Sequence, residues 1–139
     1  MTLSRQRAEE IFGQVLKYST AEETEVLVSS SSFALTRFAN NTIHQNVSEE
    51  ATTLSVRVVA EGRMARASTN KFDEESIRQL CEGALVLARL QPPDPDLLPM
   101  PGPQTYRAVS RFFSETAELS PATRAATVAS VIKRAERTG

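Results

Sequence analysis

The stretch from Thr52 to Thr69 constrains this chain more than any other. Leu54, Val56, Val58 and Ala60 alternate with Thr53, Ser55 and Arg57. That is the period of two a strand imposes when successive side chains point to opposite faces. Glu61-Gly62 follows as a two-residue turn, and Arg63 to Thr69 runs back as the antiparallel partner. A hairpin with one apolar face needs a cover, so the rest of the chain has to provide one.

Two flanking segments carry the period that helices need. Ala8, Ile11, Phe12, Val15 and Leu16 form one apolar stripe. Thr2 or Ser4 can cap that helix, and the polar run Ser19 to Glu23 ends it. On the other side, Asp73 is the expected N-cap, with Glu74 and Glu75 in a first turn where the macrodipole favours negative charge. Phe72 and Ile77 sit at hydrophobic-staple spacing. Ile77, Leu80, Cys81, Ala84, Leu87 and Ala88 are the expected buried stripe, and Gly83 within it suggests close packing against a neighbour.

Between the first helix and the hairpin the pattern is again strand-like. Thr24 to Ser31 places Val26 and Val28 on one face, and Phe33 to Phe38 alternates less cleanly. Ala39-Asn40-Asn41 is a turn signal, because asparagine tolerates left-handed backbone. Thr42 to Ser48 is a polar strand, expected at an edge or with one wet face. After the second helix, the segment 91–104 is crowded with Pro92, Pro93, Pro95, Pro99, Pro101 and Pro103 and reads as a stiff connector. Ser120-Pro121 then opens a last helix to about Arg137, with a thin stripe of Ala125, Val128, Ile132 and Ala135. The fold class is α+β: helix, antiparallel β-meander, helix, Pro-rich connector, C-terminal helix.

Composition bears on what such a domain can do. Its 139 residues fit one domain. With 16 basic and 17 acidic residues, no tryptophan and 6% aromatics, there is no basic stacking surface for nucleic acid. No apolar run is long enough to span a bilayer or serve as a secretory leader, and a single cysteine fits a reducing cytoplasm.

Catalytic chemistry finds few candidates. His44, the one histidine, lies in the polar strand and reads as a hydrogen-bonded or solvent-facing residue. Cys81, on the apolar helix stripe, reads as a small buried hydrophobe. Serines 29–32 have no nucleophile elbow, and the Glu22-Glu23, Glu49-Glu50 and Glu74-Glu75 pairs read as loop or cap residues. Asp94 and Asp96 are too few for a calcium site. No catalytic and no metal-ligating residue is assigned. The remaining possibility is a binding surface: Thr42, His44, Asn46 and Ser48 mark an edge to which an extended peptide could add a strand.

The run Thr36-Arg37-Phe38-Ala39-Asn40-Asn41-Thr42-Ile43-His44-Gln45 resembles the R-F-A-N-x-x-I-x-Q signature of TldD/PmbA-type proteins. Leu54 to Val59, Gly62-Arg63, Ala67-Ser68-Thr69-Asn70, Phe72 to Ile77 and the Pro-Asp-Pro connector continue the similarity in order over residues 5–106. Ala65 stands where the resemblance calls for glycine. The family, also known as modulator of DNA gyrase, implies a cytoplasmic zinc-dependent peptidase for peptide maturation and breakdown of unfolded polypeptide, working as a homo- or heterodimer. The resemblance places its HExxxH helix and cysteine ligand beyond residue 139, so neither His44 nor Cys81 inherits a zinc role. It implies that 1–139 is a single N-terminal domain, truncated, with no cofactor of its own and no activity alone. That domain would shape the peptide channel and the subunit interface. The alternative is a stand-alone peptide- or protein-binding module.

Overall fold

Leu54, Val56 and Val58 are fully buried on the strand where alternation is strongest, beneath Ile11 and Val15 of one helix and Ile77, Leu80, Cys81, Ala84 and Ala88 of another. The computed structural model describes residues 3–138. Its elements are α1 (Arg5–Tyr18), β1 (Glu23–Ala39), β2 (Thr42–Ala60), β3 (Arg63–Thr69), α2 (Glu74–Leu90), a single-turn α3 (Ser114–Ala117) and α4 (Pro121–Thr138). The strands form one sheet in the order β1-β2-β3. The meander and its flanking helices are those the sequence implies.

The chain divides into two compact units. The first comprises residues up to 31 together with 51–104. Here β2 and β3 pair antiparallel from Leu54 opposite Thr69 to Ala60 opposite Arg63. Glu61 (φ 53°) and Gly62 (φ 67°) make the turn, both in left-handed backbone. Ala65 pairs in register with Val58, so the residue in place of the expected glycine leaves the hairpin regular. Helices α1 and α2 cover the apolar face. Ser4 caps α1 by accepting from the Arg7 amide at 3.2 Å; Thr2, the other candidate cap, lies outside the described residues. Asp73 caps α2 by accepting from the Ser76 amide at 2.9 Å and the Ser76 hydroxyl at 2.7 Å. These bonds and the helix N-terminus hold its carboxyl below the usual range.

Two sequence expectations fail in this unit. Leu16 and Leu87 are exposed, because a two-layer core covers only a narrow stripe on each helix. Gly83 has no neighbour within 4 Å of where a Cβ would stand, so close packing is not its reason for being glycine. On the other face of β2, Ser55 is buried beside Arg66 and Ser68.

The second unit comprises residues 32–50 and 105–139. It holds the outer half of the β1–β2 hairpin, turned by Asn40 (φ 49°) and Asn41 (φ 55°) where the sequence signals a turn. The two shorter strand pieces expected on each side merge into single strands of 17 and 19 residues. Ladder pairing runs through polar, exposed residues such as Glu49, where the alternation of apolar residues lapses. In α4, Ser120 caps by accepting from the Thr123 amide at 3.1 Å, and Ile132 is the buried member of the thin stripe.

Candidate functional site: an open strand edge

The candidate edge lies on β2 at the Asn40-Asn41 turn. Three of its four residues are tied back to their own hairpin. Thr42 Oγ1 donates to the Asn40 carbonyl at 3.3 Å, and His44 Nε2 donates to the Ala39 carbonyl at 3.1 Å. Asn46 Oδ1 accepts from Thr36 Oγ1 at 3.1 Å. Ser48 follows on the same strand and is exposed. These bonds brace the tip of a two-stranded ribbon that is exposed along most of its length.

Strand order puts β2 in the centre of the sheet, but only over part of its length. β3 pairs with Leu54 to Ala60 and no further. Among the described residues, the stretch 42–53 therefore has β1 on one side and no strand on the other. A strand edge of this kind can accept a further strand, and a bare two-stranded ribbon is only marginally stable in water.

The sequence did not single out the polar cluster on the open face of the first unit. Glu25 accepts from Arg57 Nη2 and Arg66 Nη2, each at 2.7 Å. Arg66 Nη1 also donates to Ser55 Oγ at 3.0 Å, and Ser68 Oγ donates to the same oxygen at 3.0 Å. The signal for it was the pairing of Arg57 with Arg66 and Ser55 with Ser68 across one hairpin, which fixing the Glu61-Gly62 turn would have revealed. Next to this cluster, the Pro-rich connector lies over Val59 and Met64 and encloses a groove of about 400 Å³. It is fastened by the Asp94 amide to the Gly62 carbonyl (2.8 Å) and by the Met100 amide to Glu23 Oε2 (2.8 Å). Asp94 Oδ1 accepts from the Asp96 amide at 2.9 Å, so part of this acidic pair serves the connector's turn.

Zinc needs three or more imidazole, thiolate or carboxylate groups converging on one point. The described residues contain no such group of three. His44 is committed to a carbonyl of its hairpin. Cys81 is in the core, its thiol 3.8 Å from the Val15 carbonyl and pushed up in pKa by burial. These residues do not fit a zinc ion. No helix among them is long and apolar enough to cross a membrane.

No curated protein matches the chain. Residues 24–88 match the family described as PmbA/TldA metallopeptidase domain 1. Among solved structures, the chain is similar to TldE from Thermococcus kodakarensis, with a TM-score of 0.80 and 22% identity. That likeness covers 94% of this chain and 29% of the other. It is also similar to a candidate modulator of DNA gyrase from Bacteroides thetaiotaomicron, with a TM-score of 0.61 and 18% identity over 87% of this chain and 29% of that one. The chain thus spans under a third of the length of either, and both share its fold. Residues 24–88 of this chain are thus similar to the first domain of PmbA/TldA metallopeptidases.

Proposed function

We propose that this domain is a non-catalytic part of a TldD/PmbA-type zinc metallopeptidase of the cytoplasm, acting in peptide maturation and proteolysis. It supplies shape and contact, walling the peptide channel and forming part of a homo- or heterodimer interface. The zinc, the water it would activate and the ligands that hold it belong to other polypeptide. The observation that carries this reading is the match of residues 24–88 to a metallopeptidase first domain. The open β2 edge supports it, because a strand edge of this kind engages extended chains.

The test is zinc binding by the purified 139-residue chain, measured by calorimetry. Only weak, sub-stoichiometric binding is expected, together with no peptidase activity. Tight binding of one zinc per chain, or hydrolysis of a peptide, would overturn the reading.

A second reading, a stand-alone peptide-binding module, is favoured by Thr42, His44, Asn46 and Ser48 lying along that edge. Titration with an extended peptide should then shift the amides of 42–48 selectively. Scattered shifts, or none, would remove it.

A further inference from the structure

We infer that the groove between β3 and α2 is a further binding site, where an extended polypeptide with an acidic N-terminal end joins the sheet as a fourth strand. The site is separate from the stretch 42–53 of β2 and stands or falls without it.

β3 supplies the backbone half of the site. It is the last strand of the sheet, and its seven residues pair with β2 on one side. The two-residue turn closes on the bonded pair Ala60–Arg63, and bonded and non-bonded pairs alternate from there. Met64, Arg66 and Ser68 therefore turn their N–H and C=O groups away from β2. Among the described residues, none of these three makes a backbone–backbone hydrogen bond beyond the sheet. A row of outward backbone groups on an edge strand recognises an extended chain.

α2 supplies the side-chain half. Beside the β3 edge lies a groove of about 350 Å³, lined by Ala67, Thr69 and Lys71 on one side and Gln79, Gly83 and Leu87 on the other. A strand set against β3 continues the face of Ala65 and Ala67, so every second side chain of it enters this groove. Two features of α2 suit such an occupant and serve nothing within the chain. Leu87 is 43% exposed although it prolongs the apolar stripe of the helix. Gly83 is a poor helix residue, and no neighbour stands within 4 Å of where its Cβ would be. A glycine facing a groove lets a chain from outside approach the helix closely.

Charge sets the direction of the added strand. Lys71 stands at the Thr69 end of the groove, exposed and in no ion pair among the described residues. The carboxylates of α2 and its cap are already engaged. Asp73 caps the helix, Glu74 pairs with Lys17, and Glu75 and Glu82 pair with Arg78. Lys71 is thus matched by an acid on the incoming chain. Antiparallel pairing is the more stable kind, and an antiparallel partner of β3 begins beside Thr69. Its acidic residue therefore belongs at its N-terminal end.

The test uses the full chain and one probe, an acetylated and amidated heptapeptide of glutamate followed by alternating threonine and valine. Titrated to millimolar concentration, it should shift the amides of Met64, Arg66 and Ser68 and those of α2 around Gly83. Gly83→Ala should weaken binding at least tenfold while the chain stays as stable as before or more so. Gly13→Ala, at a helical glycine of α1 with equally open surroundings, should leave binding unchanged. Lysine in place of the peptide's glutamate should weaken binding severalfold at low salt, and Lys71→Glu should reverse that preference. No shift at millimolar peptide, or binding indifferent to Gly83→Ala, would overturn the proposal. So would an equal loss in Gly13→Ala, or a charge preference that Lys71→Glu leaves in place. Shifts confined to 42–48 would overturn it too, and would leave the β2 edge as the binding surface.

Discussion

Arg57 donates to Glu25 at 2.7 Å across the β1–β2 pair, holding a guanidinium on the open face of the sheet directly behind the core residues Val56 and Val58. Arg66 binds the other oxygen of the same carboxylate, so Glu25 keeps two like charges together on paired strands. Removing the carboxylate leaves two adjacent arginines and a polar cluster that is only partly exposed. Glu25→Ala should cost about 1–2 kcal/mol, more than an ordinary surface ion pair, because the partners are left half-buried and mutually repelling. Urea denaturation checks this. In the background Arg57→Ala the same change should cost distinctly less, and equal costs in both backgrounds would show that the pair is not coupled.

Asp73 gives a pH dependence of defined sign. Its carboxylate accepts two bonds from Ser76, first the backbone amide and then the hydroxyl, which lowers its folded pKa below the ordinary 3.8. A depressed folded value means the contribution to stability is complete above the unfolded pKa and is lost as pH falls through the folded one. Asp73→Ala should therefore be less stable than the native chain at pH 7, with the gap closing at acid pH below the ordinary value. Denaturation midpoints of the two proteins across that range test it. A gap that persists unchanged at low pH would mean the cap acts through something other than its charge.

Gly83 offers a gain. It sits inside α2 in ordinary helical backbone, with open space where an alanine methyl would project. Gly83→Ala should raise stability by up to about 1 kcal/mol by restricting the unfolded chain and favouring the helix. A rise in the urea midpoint is the expected result; a fall would show that some other chain packs closely there.

These cases show which parts of the molecule were legible in the sequence. Turns were legible, because Asn40-Asn41 and Glu61-Gly62 are residue types suited to the positive φ values found there. Core strands were legible where one face is sealed, as at Leu54, Val56 and Val58. Strand lengths were not, since β1 and β2 run on through exposed polar residues that carry no apolar alternation. Helix stripes were overread at Leu16 and Leu87, because periodicity gives the direction of an apolar face but not the width of what covers it. The single turn α3 was missed because Phe113 at its start makes no side-chain cap bond. The four edge residues were correctly put on one strand, but their bonds back to Ala39, Asn40 and Thr36 depend on the partner strand and could not be read from β2 alone.

Cys81 tests the core itself. Its side chain is 3% exposed, between α1 and the sheet, and burial pushes its thiol pKa up. A thiolate is the reactive form, so both inaccessibility and the raised pKa slow reaction with a disulfide reagent. At pH 8 the native chain should label far more slowly than the same chain in urea, with a rate that tracks unfolding. Cys81→Ala should be tolerated better than Cys81→Ser, because the serine hydroxyl would need a stronger partner than the Val15 carbonyl, which now lies 3.8 Å from the sulfur. Fast labelling of the folded chain, or a serine variant as stable as the alanine one, would show that α1 and α2 do not close over this position.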